Sequence, residues 1–87
     1  MWYNIPKIVL QSALKHGIEP EDALYVTAQP LKALTIDEEP TKTLYLGISP
    51  DGIPLEVVTL RTSRGEAIIH AMRMRTKYVK LLEGGRK

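Results

Sequence analysis

Residues 43–72 have the sequence TLYLGISPDGIPLEVVTLRTSRGEAIIHAM, and this stretch decides the fold of the chain. Its apolar and β-branched residues fall into three runs, and two short polar segments separate them. The first segment, Ser49-Pro50-Asp51-Gly52, has Pro at the second and Gly at the fourth position, as in a type I turn. The second, Ser63-Arg64-Gly65, is a Gly-bearing hairpin loop. The stretch therefore predicts three antiparallel strands joined by hairpins.

A fourth run of alternating apolar residues comes just before this stretch, after Pro30. Each strand is expected to pair with the next one along the chain, because the connections are short. The result is a four-stranded antiparallel meander. Its predicted strands are residues 31–37, 43–49, 53–62 and 66–72.

Two helices are expected in front of the sheet. Asn4 can cap the first helix and Pro6 fits its first turn, so this helix runs to His16 and ends at Gly17. The second helix begins at Pro20 with two acidic residues in its first turn, and it ends before Pro30. We therefore predict an α+β fold with two N-terminal helices leading into the sheet.

The last predicted helix covers residues 73–83, and Gly84 is placed to stop it. One stripe of this helix is basic and the neighbouring stripe is apolar, which predicts that the apolar stripe docks on the sheet. The basic stripe is Arg73, Lys77 and Lys80, and the apolar stripe is Met74, Tyr78 and Leu81. The whole of residues 1–87 is expected to form one domain, with residues 84–87 as a flexible tail.

Composition and charge narrow the class of protein. The chain has 87 residues, enough for one core, and no Cys, which suits a reducing compartment. The sequence also lacks a run long and apolar enough for a signal peptide or a membrane span, so we expect a soluble cytoplasmic protein. Residues 1–60 hold four basic and eight acidic residues, whereas residues 61–87 hold eight basic and two acidic. This asymmetry is typical of a surface that binds phosphates or an acidic partner.

Five short segments together resemble BrnT-type toxins of bacterial toxin-antitoxin pairs, which belong with the RelE and ParE-like toxins. They are KHGI (15–18), EDA (21–23), LYLGI (44–48), LEVV (55–58) and IIHAMR (68–73). The resemblance implies a compact α+β protein that cleaves RNA without a metal and is neutralised by a small, DNA-binding antitoxin. The chain departs from the family pattern at the end of the last strand, where His70, Ala71 and Met72 stand and the Arg is displaced to Arg73.

RNA cleavage without a metal requires proton-transfer groups and cations that stabilise the phosphorane. We predict that His70 transfers the proton and that Arg73, Arg75 and Lys77 hold the scissile phosphate. A second set of residues is predicted to bind RNA or the partner. This set is Lys15, His16, Arg61, Arg64 and Lys80.

Two alternatives remain open at this stage. His70 can equally be a satisfied, partly buried structural histidine, and the basic stripe can serve a non-catalytic module that binds nucleic acid or protein. No metal or cofactor is expected, because the two His are 54 residues apart without Cys and no Gly-rich phosphate loop is present. The orientation of His70, towards an open groove or into the core, separates the enzyme from the binding module.

Overall fold

The computed structural model describes residues 7–84, which form one mixed sheet with helices. The sheet has five strands in the order β1-β5-β4-β3-β2; β1 is parallel to β5 and the other neighbours are antiparallel. No helix in this part of the chain is long and apolar enough to cross a membrane. The elements in chain order are β1 (Lys7–Val9), a 3₁₀ turn (Gln11–Leu14), α1 (Pro20–Ala28), β2 (Lys32–Glu38), β3 (Thr41–Ile48), β4 (Pro54–Thr62), β5 (Gly65–Arg73) and α2 (Thr76–Gly84).

The predicted fold class, with two N-terminal helices and a four-stranded antiparallel sheet, is wrong. Where the first helix was expected, residues 7–9 form β1 and residues 11–14 form only a 3₁₀ turn. The β-branched Ile8 and Val9 suit a strand, and the edge of β5 offers partners for the main chain of this segment: Leu10 N donates to Ile68 O at 3.1 Å. The predicted cap at Asn4 and Pro6, and residues 85–87 of the predicted tail, lie outside the described residues.

Both predicted hairpin connections are confirmed. The first is closed by a hydrogen bond from Gly52 N to Ser49 O at 2.8 Å, and Gly52 has a φ of +85°, which glycine adopts without strain. The second is closed by the pairing of Thr62 with Gly65, so the β4–β5 loop is only two residues long.

One face of the sheet packs against α1 and the 3₁₀ turn. Seven residues form the core on this side: Ala13, Ala23, Val26, Leu55, Val57, Ile68 and Ala71. α1 approaches β3 closely, because a Cβ atom at Gly47 would lie 3.0 Å from Val26 Cγ1. On the same face, the Tyr45 hydroxyl donates to the Glu66 carboxylate at 3.2 Å. Burial raises the pKa of Tyr45, and the Glu66 charge raises it further.

The opposite face of the sheet is also buried at its centre. Side chains alternate along a strand, so Glu56 of β4 and its register partner Leu46 of β3 point away from α1. Leu44, Leu46 and Glu56 are at most 2% exposed. The sheet is therefore buried at its centre on both faces, and an ionisable residue lies within the second of them.

The C-terminal helix begins later than predicted. Residue 73 still belongs to β5, and Met74 N donates to Pro54 O at 3.0 Å, so α2 starts only at Thr76. The predicted basic stripe is therefore wrong at Arg73, and the predicted apolar stripe is wrong at Met74, which precedes the helix, and at Leu81, which is 39% exposed. The half-buried residues of α2 are Tyr78, Val79 and Leu82.

A β-bulge in β5 separates two residues that the sequence pattern places on one face. Thr59 pairs with Ile68 and Val58 pairs with His70, so Ile69 is an extra residue on β5. Because Thr59 and Val58 point to opposite faces, Ile68 lies in the α1 core and His70 lies on the Glu56 face. Simple alternation along this strand predicts that Ile68, His70 and Met72 share one face; this prediction is wrong for Ile68, whereas Met72, the partner of Glu56, does share the face of His70.

Candidate functional site

The centre of the candidate site is the carboxylate of Glu56, whose side chain is fully buried. A buried carboxylate is costly unless cations and hydrogen-bond donors surround it. Glu56 has such partners: it accepts hydrogen bonds from one side chain of β5 and from the segment that joins β5 to α2. Three elements of the fold therefore meet at this one group.

Arg75 supplies most of the donors to Glu56. Its main-chain N–H donates to Oε1 at 2.9 Å, its Nε lies 3.1 Å from Oε2, and its Nη2 donates to Oε2 at 2.7 Å. Arg75 is also the residue whose carbonyl accepts the first hydrogen bonds of α2, from Tyr78 N and Val79 N. Glu56 therefore fixes the start of α2 as well as the guanidinium.

His70 supplies the remaining donor. Its Nε2 lies 3.0 Å from Glu56 Oε2, and the two residues are diagonal neighbours on adjacent strands, because Glu56 pairs with Met72. Burial alone raises the pKa of Glu56, but the hydrogen bonds from Arg75 and His70 and the Arg75 charge outweigh it, so the pKa is lowered overall. Hydrogen bonding to Glu56 raises the pKa of Arg75.

The charge state of Glu56 decides the tautomer of His70. An ionised carboxylate has no proton to donate, so Nε2 carries the hydrogen and Nδ1 of a neutral ring has a free lone pair. No other hydrogen bond to His70 comes from the described residues, and the side chain is 27% exposed. One ring nitrogen is thus occupied on the buried side, while the other remains to act as an acceptor.

His16 lies beside this group. It follows the 3₁₀ turn, it is exposed, and its ring makes an edge contact with the ring of His70, with centroids 5.8 Å apart and planes at 73°. Lys15, which precedes it, is also exposed. Two imidazoles from distant parts of the sequence therefore meet next to the Glu56–Arg75 pair.

An aromatic ring with two cations forms the α2 side of the site. Arg75 Cζ lies 5.5 Å and Lys77 Nζ 5.0 Å from the centroid of the half-buried Tyr78 ring, distances at which cation–π attraction operates. The Arg75 side chain is 48% exposed, so the guanidinium edge that does not face Glu56 meets solvent. Lys77 and Lys80 are exposed on α2.

Three of the predicted site residues lie elsewhere. Arg73 pairs with Leu55, so it points to the opposite side of the sheet from His70. Arg61 pairs with Glu66, and Arg64 is in the β4–β5 loop, at the far end of the hairpin. The loop is about four residues along β4 from the partner of His70, or roughly 13 Å. The structure brings together His70, His16, Arg75 and Lys77 of the predicted set.

Glu56 is the site residue that the sequence prediction missed. A signal for it was present, since Glu56 alternates with Val58 and Leu60 on β4 and thus occupies a position where the strand pattern requires an apolar residue. A carboxylate at such a position is expected to have a buried partner. The identity of the partner cation depends on the bulge and on the start of α2, and the local sequence pattern predicts neither of them.

A depression of about 250 Å³ follows the outer side of α1, on the opposite side of the sheet from His70; its lining is Glu21, Leu24, Tyr25, Ala28 and Gln29. Within residues 7–84, no three His, Cys, Asp or Glu side chains are grouped so that they could hold a metal ion.

Comparisons of the chain with protein-family models, with curated proteins and with solved structures gave no match. The geometry of the site is therefore the basis for the functional proposal.

Proposed function

We propose that this chain is a metal-independent endoribonuclease in which His70 accepts a proton from the RNA. The observation that carries the proposal is the 3.0 Å contact between His70 Nε2 and the fully buried carboxylate of Glu56. A carboxylate that orients an imidazole and fixes its tautomer is the arrangement that general bases use. Here it leaves Nδ1 as the atom that can take the proton.

The proposed reaction uses the nucleophile that RNA itself contains. His70 Nδ1 takes the proton of the ribose 2′-hydroxyl, and the 2′ oxygen attacks the adjacent phosphorus. Arg75 has five N–H groups, of which Nε and one on Nη2 face Glu56, so its outer edge can donate to phosphate oxygens. Lys77 supplies a second cation on the same side. Positive charge there stabilises the phosphorane.

Replacement of His70 by Gln tests this proposal. Gln retains a hydrogen bond to Glu56 but cannot transfer the proton, so we expect RNA cleavage to fall by about 10² to 10⁴ while the protein stays folded. Cleavage of labelled RNA and thermal unfolding are measured on the same preparation. A Glu39→Gln variant, changed in the exposed β2–β3 connection, is the control. A folded His70→Gln protein that cleaves at the wild-type rate would remove His70 from the chemistry.

The second candidate function is a non-catalytic nucleic-acid-binding module. The exposed cations Lys77 and Lys80 of α2 favour this function, because they can bind RNA phosphates without taking part in a reaction. Salt titration of RNA binding by a Lys77→Ala/Lys80→Ala variant measures how much these two lysines contribute to the affinity for RNA. For single-stranded RNA, each lost phosphate contact lowers the slope of log K against log salt by about 0.7. A wild type that binds RNA with this salt dependence, yet never cleaves it, would favour the module over the enzyme.

The resemblance to BrnT-type toxins supports RNA as the substrate and adds a partner to the proposal. We expect a small, DNA-binding antitoxin to place an acidic segment over α2 and the His70 site, because masking the site is the simplest neutralisation. Co-purification with the product of the adjacent gene tests for this partner. Charge reversal at Lys77 should weaken the complex, whereas unchanged binding would place the interface elsewhere.

A further inference from the structure

The contact between the two imidazoles gives the proposed cleavage its second proton-transfer group. We infer that His16 protonates the leaving oxygen, and that one phosphate group is held between His16 and His70; this inference rests on the proposed function. His16 is separated from His70 by 54 residues, yet the fold brings their rings to 5.8 Å. His16 was expected only to bind RNA or a partner.

The distance between the rings suits a shared phosphate. Two hydrogen bonds of about 2.8 Å each, meeting at one phosphate group, span roughly 5 to 8 Å between ring nitrogens, and the 5.8 Å between the two ring centroids is of this size. Both rings reach solvent: His16 is exposed and His70 is 27% exposed. An RNA backbone can therefore approach the pair from outside without opening the core.

The surroundings of the two rings give them different tasks. His70 faces Glu56 from β4 and lies next to Arg75, whose charge that carboxylate balances. His16 is bonded to neither of them, and the charged residue next to it in the chain is Lys15. Glu56 thus orients His70 and directs its Nδ1 away from the carboxylate, as the base requires, whereas no hydrogen bond from the described residues holds His16, which leaves it for the acid role.

The reaction balances with these two groups alone. The 2′-hydroxyl proton moves to His70 Nδ1, the bond from the 2′ oxygen to phosphorus forms, and the bond from phosphorus to the 5′ oxygen breaks. The protonated His16 gives its proton to that 5′ oxygen. The products are a 2′,3′-cyclic phosphate and a 5′-hydroxyl end, and exchange with water returns both imidazoles to their starting forms.

A substrate with a 5′-sulfur leaving group separates the two roles. A thiolate leaves without protonation, so we expect His16→Ala to lose about 10² to 10⁴ in rate on ordinary RNA but to approach wild type on the 5′-thio substrate. His70→Gln should remain impaired on both. The rate of wild type should fall at both low and high pH, and His16→Ala should lose the fall at high pH. Gln11→Ala, at the start of the 3₁₀ turn that precedes His16, is the control.

A measurement without cleavage tests the phosphate site by itself. Inorganic phosphate, titrated into the wild-type protein, should shift the ring NMR signals of both His16 and His70 with a single Kd, and His16→Ala should weaken that binding. If the wild type fails to cut RNA, the proposed function fails, and this titration still decides whether the paired site exists. A shift of only one ring, or equal impairment of both variants on the 5′-thio substrate, would overturn the inference.

Discussion

Replacement of Glu56 by Gln is the most direct test of how the site is held together. The change removes the charge from a fully buried group that accepts hydrogen bonds from His70 Nε2 and from the N, Nε and Nη2 atoms of Arg75. Loss of one partner costs about 3 to 5 kcal/mol when both members of an ion pair are buried. We expect less, about 2 kcal/mol, because the Arg75 side chain is 48% exposed and regains water, and because the Gln oxygen can still accept the Arg75 main-chain N–H.

This loss is large for a chain of this length, whose total stability is expected to be roughly 4 to 13 kcal/mol. Urea denaturation followed by circular dichroism at pH 7 measures it. Glu83→Gln removes an exposed carboxylate from α2 and should change stability by no more than about 0.5 kcal/mol. If Glu56→Gln costs less than about 1 kcal/mol against this control, the carboxylate does not hold the three elements together, and the reasoning about His70 orientation fails with it.

Three further predictions concern other measurable properties. The pKa of Glu56 is lowered in the folded protein, so its contribution to stability is present above the ordinary value of 4.5 and is lost as the pH falls through the folded-state pKa. Below pH 4.5, the urea midpoint of Glu56→Gln should therefore fall less steeply than that of wild type. Parallel curves for the two proteins would contradict this prediction. The raised pKa of Tyr45 gives a pH dependence of the opposite sign: its contribution to stability is full below the ordinary value of 10.0 and is lost as the pH rises through the folded-state pKa. Tyr45→Phe should remove this alkaline loss of stability in unfolding curves between pH 9 and 11. A loss equal to that of wild type would exclude Tyr45 as its source. Gly47→Ala places a Cβ 3.0 Å from Val26 Cγ1 and should lower stability by about 1 to 3 kcal/mol in thermal unfolding. The double variant with Val26→Ala should lose less stability than the sum of the two single losses. Strict additivity would show that this contact is not the cause.

The elements that depend on local pattern were predicted well. The strands from β2 to β5 and α1 occur close to their expected positions, because alternation, Pro20 and the turn residues act within a few positions of one another. The strand β1 could not be found this way. It has three residues, and its partner Glu66 is 59 positions away from Lys7, so its pairing depends on the edge that β5 leaves open.

Only part of the candidate site was predicted, because its arrangement, like the pairing of β1, does not follow from the local sequence pattern. His70 and the cations near it could be identified by residue type, but their arrangement depends on one unpaired residue, Ile69, that no alternation pattern reveals. The prediction placed His70 with Ile68, and the bulge places it with Glu56. It also placed Arg73 on the helix beside Lys77, whereas the extra length of β5 puts Arg73 on the other side of the sheet.

The bulge also means that the ladder between β4 and β5 does not require Ile69. Deletion of Ile69 would restore simple alternation and leave Ile68 opposite Thr59 and His70 opposite Val58, so that each side chain keeps its present face. A substitution at Ile69 leaves every other side chain on its own face. Length variation among proteins of this kind is therefore expected at the bulge as well as in the hairpin loops, whereas the pairings of Ile68 with Thr59 and of His70 with Val58 should be kept wherever Glu56 contacts His70.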